Sequence, residues 1–180
     1  MSLTPVTLLF SFGLLLLFND DFDPSFWISV VFIFLAGFFV EVAGVSTGLI
    51  FGGYEYGSTL GLKVFHTPLM IGINWVMLTY CIWTLLGGLE MNGFLKTLLG
   101  SMMMVIYDFN LEPMAIKYDM WSWDGGDVPV QNYIAWFAIS FVFFGLLSIF
   151  RVRFRNRLAL AIIGVQFVFF LILNLLDMIW

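Results

Sequence analysis

Six long apolar runs, at residues 3–18, 26–53, 68–89, 94–111, 133–150 and 158–180, take up most of the sequence. A helix that crosses a bilayer needs roughly 20 predominantly apolar residues. The spacing therefore predicts an all-α fold, a polytopic transmembrane bundle of about six spans that makes one integral membrane domain over residues 1–180. Composition closes off the water-soluble alternative. Of 180 residues, 62% are hydrophobic and 11% charged, whereas a soluble domain carries about 25% charged residues, so a soluble enzyme is excluded. The formal net charge is -5 and no basic stripe is present, so nucleic acid is not a partner. Cys81, the single cysteine, lies in an apolar run and reads as a structural thiol.

The first run has no basic segment before it and no small-residue cleavage site after it, so it is expected to remain as a helix. The second, interrupted only by Glu41 and small residues, fits either one tilted helix or a helix followed by a re-entrant Gly-rich piece. A connection rich in Gly and Tyr then leads to Thr67, and Pro68 opens the third run. Pro113 disfavours helical geometry at Glu112 and removes the hydrogen bond to the carbonyl of Phe109, so the fourth helix is expected to break or kink there. Residues 113–131 form the one long polar stretch and read as a structured loop at the membrane surface. Arg151, Arg153, Arg155 and Arg157 are four of the seven basic residues. The positive-inside rule places that loop in the cytoplasm of a protein of the inner cell membrane. Counting through six spans puts both termini and the 113–131 loop on the other face.

An ionisable side chain in hydrocarbon costs a few kcal/mol even on lenient scales, so each one inside a span is a functional candidate. Glu41 is the first. Gly37, Gly44, Gly48 and Gly52 recur around it at helical spacing, which predicts a small-residue face where another backbone approaches and turns Glu41 into the bundle. A carboxyl that only bonds a neighbouring helix is the plainer alternative. Asp108 and Glu112, at i and i+4, share one helix face. Two carboxylates that close repel, so the pair is expected to hold a proton between them, as a general acid requires. Acids at a helix end that reach interfacial water are the alternative there. Tyr54, Tyr56, Trp75, Trp121, Trp123, Tyr133 and Trp136 surround the same loops and span ends. They fit an aromatic belt at the membrane interface, or ring faces that attract a cation without attacking it. Asn74 and Asn132 are placed to orient a water or to satisfy a backbone group. His66 is the sole histidine, which leaves no histidine-based metal site within one chain. Asn19-Asp20-Asp21-Phe22-Asp23 fits the NDxxD pattern of magnesium-binding membrane prenyltransferases, but no second Asp-rich motif accompanies it.

Several spaced blocks carry a resemblance: Glu41-Val42-Ala43-Gly44-Val45-Ser46-Thr47-Gly48, Phe51-Gly52-Gly53-Tyr54-Glu55-Tyr56, Pro68 with Asn74-Trp75, Tyr107-Asp108 with Glu112-Pro113, Trp121-Ser122-Trp123, and Val128-Pro129-Val130-Gln131-Asn132-Tyr133 with Trp136. In this order, from about residue 37 to 150, the chain resembles the membrane carotenoid-biosynthesis family of the gamma-carotene 1'-hydratase and bisanhydrobacterioruberin hydratase type. His66 departs from the small residue expected before Thr67-Pro68. The resemblance implies a membrane lyase that adds water to the terminal double bond of an acyclic carotenoid, with no organic cofactor and no metal. Its partners would be the lipophilic carotenoid, water, membrane lipid and other carotenoid-biosynthesis enzymes.

Residue chemistry and resemblance meet in one expected mechanism. Asp108, with Glu112 keeping its proton in place, protonates the alkene. Trp121, Trp123, Tyr54 and Tyr56 shield the resulting cation, and water held by Glu41 or Asn74 attacks it. Asp119 is a reserve acid, and Trp75, Asn132 and Trp136 complete the substrate contacts. A small proton-coupled transporter, with the acids as relay groups, and a non-catalytic subunit that binds carotenoid or isoprenoid are the competing readings.

Overall fold

The computed structural model describes residues 3–179. Six helices dominate: α1 (Thr4–Leu17), α2 (Pro24–Thr47), α3 (Leu69–Gly87), α4 (Gly93–Lys117), α5 (Val130–Ile149) and α6 (Ala159–Asp177). Four of them, α2, α3, α5 and α6, are long and apolar enough to cross a membrane. The expected six spans thus divide into three kinds. At 14 residues, α1 extends about 21 Å, short of the roughly 30 Å hydrocarbon core. Helix α4 has 25 residues, enough length, but its carboxyls, Asn110 and Lys117 lower its apolar character.

Local chemistry sets the helix ends. Asp23 caps α2 by accepting from the Phe26 N–H at 2.8 Å, and Pro24 occupies the first turn, where its missing N–H costs nothing. Gly48 ends α2 in the left-handed region at φ 66°, its N–H bonded to the Gly44 carbonyl at 2.8 Å. The helix therefore stops six residues before the run does. Residues 48–68 hold bends and short strands, and no re-entrant helix forms there. The NDxxD stretch has a structural use: besides the Asp23 cap, Asn19 Oδ1 accepts from the Tyr80 hydroxyl at 2.6 Å.

The expected break at Pro113 does not occur, and α4 continues to Lys117. Tertiary contacts hold the turn before the proline. Asn174 on α6 donates from Nδ2 to the Asn110 carbonyl at 2.6 Å, while Asn110 Nδ2 donates to the Phe167 carbonyl at 2.9 Å. Beyond the proline, Met114 and Ala115 are fully buried. Glu112 consequently keeps its helical place one turn from Asp108.

Strands β1 (Tyr54–Tyr56) and β4 (Trp121–Trp123) pair antiparallel, Tyr54 opposite Trp123 and Tyr56 opposite Trp121. Strand alternation sends these four rings inward and leaves Glu55 and Ser122 exposed. Strands β2 (Lys63–Val64) and β3 (Thr67–Pro68) make a hairpin whose two turn residues, Phe65 and His66, both have positive φ, 51° and 64°. Gly and Asn suit that turn best, which gives the expectation of a small residue at position 66 a physical basis.

The two ends of the bundle are distinct. At one, Asn19 bridges to Asn156, the Asp20 N–H donates to the Arg155 carbonyl at 3.0 Å, and Asn156 Nδ2 reaches the Leu15 carbonyl at 2.7 Å. At the other lie the β1–β4 clasp and the Lys117–Asp177 ion pair. The Arg-rich loop and the 118–129 connection thus occupy opposite ends. The glycine face of α2 works differently from expectation: it admits rings, not a backbone. A Cβ on Gly37 would stand 2.7–2.9 Å from Trp75, and one on Gly44 would meet the Phe51 ring. Gly48 and Gly52 lie beyond the helix.

Candidate active site

Four helices and the strand pair converge on one small chamber. Glu41 from α2, Asn74 and Trp75 from α3, Asp108 and Glu112 from α4, Asn132 and Trp136 from α5, and the four rings of β1 and β4 all line it. Eleven of the twelve site residues expected from sequence therefore meet in one place. Phe51 and Ile71 join them; as plain hydrophobics in apolar runs they carried no chemical signal. The exception is Asp119, which is exposed. It accepts from the Ser58 N–H at 3.0 Å and the Ser58 hydroxyl at 2.9 Å, fastening the turn after β1 to the approach to β4. These bonds hold its carboxyl below the usual range.

The carboxyls are buried to 4% (Glu41), 0% (Asp108) and 2% (Glu112) relative exposure, and among the described residues no cationic side chain lines the chamber. Neutral donors take the place of cations. Glu41 Oε2 accepts from the hydroxyls of Tyr54 at 2.5 Å and Tyr56 at 2.7 Å, and its Oε1 from Trp75 Nε1 at 3.0 Å. Glu112 Oε2 accepts from Trp121 Nε1 at 3.0 Å and Trp123 Nε1 at 3.1 Å. Asn132 Nδ2 bridges Asp108 Oδ2 at 2.7 Å and Glu112 Oε1 at 3.2 Å. Among the described residues, nothing bonds Asp108 Oδ1.

This geometry revises several expectations. The aromatic residues do not form an interfacial belt, since all but Tyr133 line the chamber. Tyr54, Tyr56, Trp121 and Trp123 serve first as hydrogen-bond donors to carboxyls, with their polar edges committed. Burial, followed by the neighbouring Glu41 carboxyl, pushes the Tyr54 and Tyr56 phenols well above their ordinary range, so both remain donors. Asn132 satisfies two side-chain carboxyls, not a backbone group. Trp75 and Trp136 stack at 4.3 Å, which holds the Trp75 indole edge against Glu41.

The chamber encloses about 30 Å³, room for two or three waters at roughly 10–15 Å³ each. Beside it, sharing Ile71, Asn74 and Trp121, lies a mainly apolar cavity of about 340 Å³ that also contacts Leu8, Leu111 and Phe170. A polar compartment of water size thus abuts an apolar one that fits hydrocarbon. Such a pair can bring water and an acid to the tip of an apolar molecule. Among the described residues, no group of three or more His, Cys, Asp and Glu side chains is placed to hold a metal ion.

No curated protein and no solved structure matches the chain. A family model described as carotenoid biosynthesis protein matches residues 4–180, and with nearly its whole length covered the chain belongs to that family of membrane-type helical proteins.

Proposed function

We propose that the protein is a carotenoid hydratase, a single integral membrane domain of the inner cell membrane with the Arg151–Arg157 loop in the cytoplasm. It adds water across the terminal double bond of an acyclic carotenoid end group and yields a tertiary alcohol. The observation that carries this reading is the water-sized chamber of three buried carboxyls beside an apolar cavity. Their shared boundary at Asn74 and Trp121 is where an alkene tip and a water would meet.

In the proposed reaction, Asp108 in its acid form gives its proton to the less substituted carbon of the terminal alkene. The π pair becomes the new C–H bond and leaves a tertiary cation. Trp121 lies at the boundary to face that cation, and the nearby carboxylates oppose its charge at close range in a dry site. A water held by Glu41 or Asn74 forms the C–O bond, and its surplus proton returns to the Asp108 carboxylate. The sum is alkene plus water giving alcohol, with the acid regenerated and no cofactor consumed. Asp108 suits the acid role because its side chain lines the chamber and its Oδ1 has no hydrogen bond to break. Glu41 already accepts three bonds and suits the role of fixed anion. Asp119, outside the chamber, has no part in the reaction.

Membranes that contain the protein, given lycopene in water enriched in heavy oxygen, should convert it to a hydroxylated product with one labelled oxygen. A product without the label, or none, would overturn the reading.

A further inference from the structure

The apolar cavity continues outward. It shares Thr4, Thr7, Met120, Phe169 and Phe170 with a larger space of about 720 Å³. That outer space is edged by Leu3, the residue before α1, by Leu173 on α6, and by Ser58, Thr59 and Tyr118 of the connections beside the β1–β4 clasp. Leu3 and Phe169 are well exposed, at 70% and 55%, as side chains that face lipid would be. The two spaces thus adjoin along Thr4 and Thr7 of α1 and Phe169 and Phe170 of α6, and the inner one reaches the boundary of the carboxyl chamber.

The inner cavity is suited to hydrocarbon. Its paired polar side chains satisfy each other or their own helix: the Tyr107 hydroxyl donates to Gln166 Oε1 at 3.1 Å, and the Thr7 hydroxyl bonds back to the Thr4 carbonyl at 2.9 Å. Helix α1, which forms one wall, is held unevenly. Its C-terminal end is anchored by buried Leu15 and by the bond from Asn156 to the Leu15 carbonyl. Its N-terminal half, where the two spaces adjoin, contributes no buried residue.

We propose that these adjoining spaces are the binding channel for the long unsaturated chain behind the reacting end, entered sideways from the bilayer between α1 and α6. The ligand class rests on the carotenoid reading above, but the channel does not require hydration to occur. Because the chamber at its inner end has room only for water, the channel admits the molecule end first and stops it with the tip at Asn74 and Trp121.

The test uses the full chain in lipid nanodiscs and follows quenching of tryptophan emission by added lycopene, whose polyene would end beside Trp121. Thr7→Phe and Ser11→Phe each fill the channel from α1, and Val6→Phe adds the same bulk on its exposed side. Wild type and Val6→Phe should show saturable quenching, and the two channel variants should weaken it at least tenfold. Circular dichroism identifies a variant that fails to fold, and the other then carries the comparison. Equal quenching in all four proteins, or none that saturates in wild type, overturns the channel. So does saturable quenching by brominated phospholipid that lycopene fails to displace, which would make the occupant a lipid chain. Saturable, channel-dependent quenching without any hydrated product would support the channel while removing the hydratase reading.

Discussion

Glu41 accepts three hydrogen bonds and Glu112 three, while Asp108 accepts one and has an open oxygen. A carboxyl surrounded by fixed donors is held as it is, whereas one with an open oxygen is free to exchange a proton with what enters the chamber. Asp108→Asn keeps an acceptor for Asn132 but cannot donate an acidic proton. It should lower product formation by about 10²–10⁴-fold with membrane insertion and helix content unchanged; full activity would remove Asp108 from the reaction. Trp123→Phe deletes one donor to Glu112 without opening a large void. Glu112 Oε2 keeps its bond from Trp121, and one lost hydrogen bond costs about 0.5–1.5 kcal/mol, so thermal unfolding in detergent should show a loss of that size, and an unchanged midpoint would mean that the indole bond contributes nothing. The three acids were legible as residues because charge inside an apolar run is conspicuous. Their donors were not, since a Tyr or Trp near a span end reads equally well as an interfacial ring.

The element that organises the donors is the β1–β4 clasp. Tyr54-Glu55-Tyr56 and Trp121-Ser122-Trp123 both alternate aromatic and polar residues, which is the period of a strand with one buried face. At three residues each, in connections otherwise rich in Gly and polar groups, they passed for loop. Asp119 secures this clasp. Its carboxyl lies below the ordinary range in the folded chain, so its contribution is present above the unfolded value near pH 4 and is lost as pH falls through the lower folded value. Amide exchange at residues 57–59 should accelerate across that acid window and not between pH 6 and 8; an Asp119→Asn variant that retains the acid step would contradict the assignment. Helix α2 shows how a correct pattern can carry the wrong partner. Spacing placed the glycines around Glu41 on one face, but only the fold shows that Trp75 fills the gap at Gly37. Gly37→Ala should therefore cost about 1–3 kcal/mol through overpacking and loosen the Trp75–Glu41 bond, measurable as a lower unfolding midpoint together with reduced turnover. The continuation of α4 through Pro113 depends on Asn174, 61 residues away in sequence, and no local rule could supply it.

Across the whole molecule, the apolar runs predicted six helices, and six are found in the described residues. The number fit to cross a membrane is four, because α1 is short and α4 gives up apolar character to carry the acids. The same helix lies against α5 and α6 and brings Asp108 and Glu112 to the chamber. The sequence indicated which residues are chemically unusual, but not that water-sized and hydrocarbon-sized spaces would meet at Asn74 and Trp121, since cavities arise from packing between distant segments. We propose that this junction hydrates an acyclic carotenoid. The most direct test is to express the chain in a bacterium that accumulates lycopene and to analyse the pigments by mass. The account predicts new pigments heavier by one water; unchanged pigment composition across acyclic carotenoids of different lengths would contradict it.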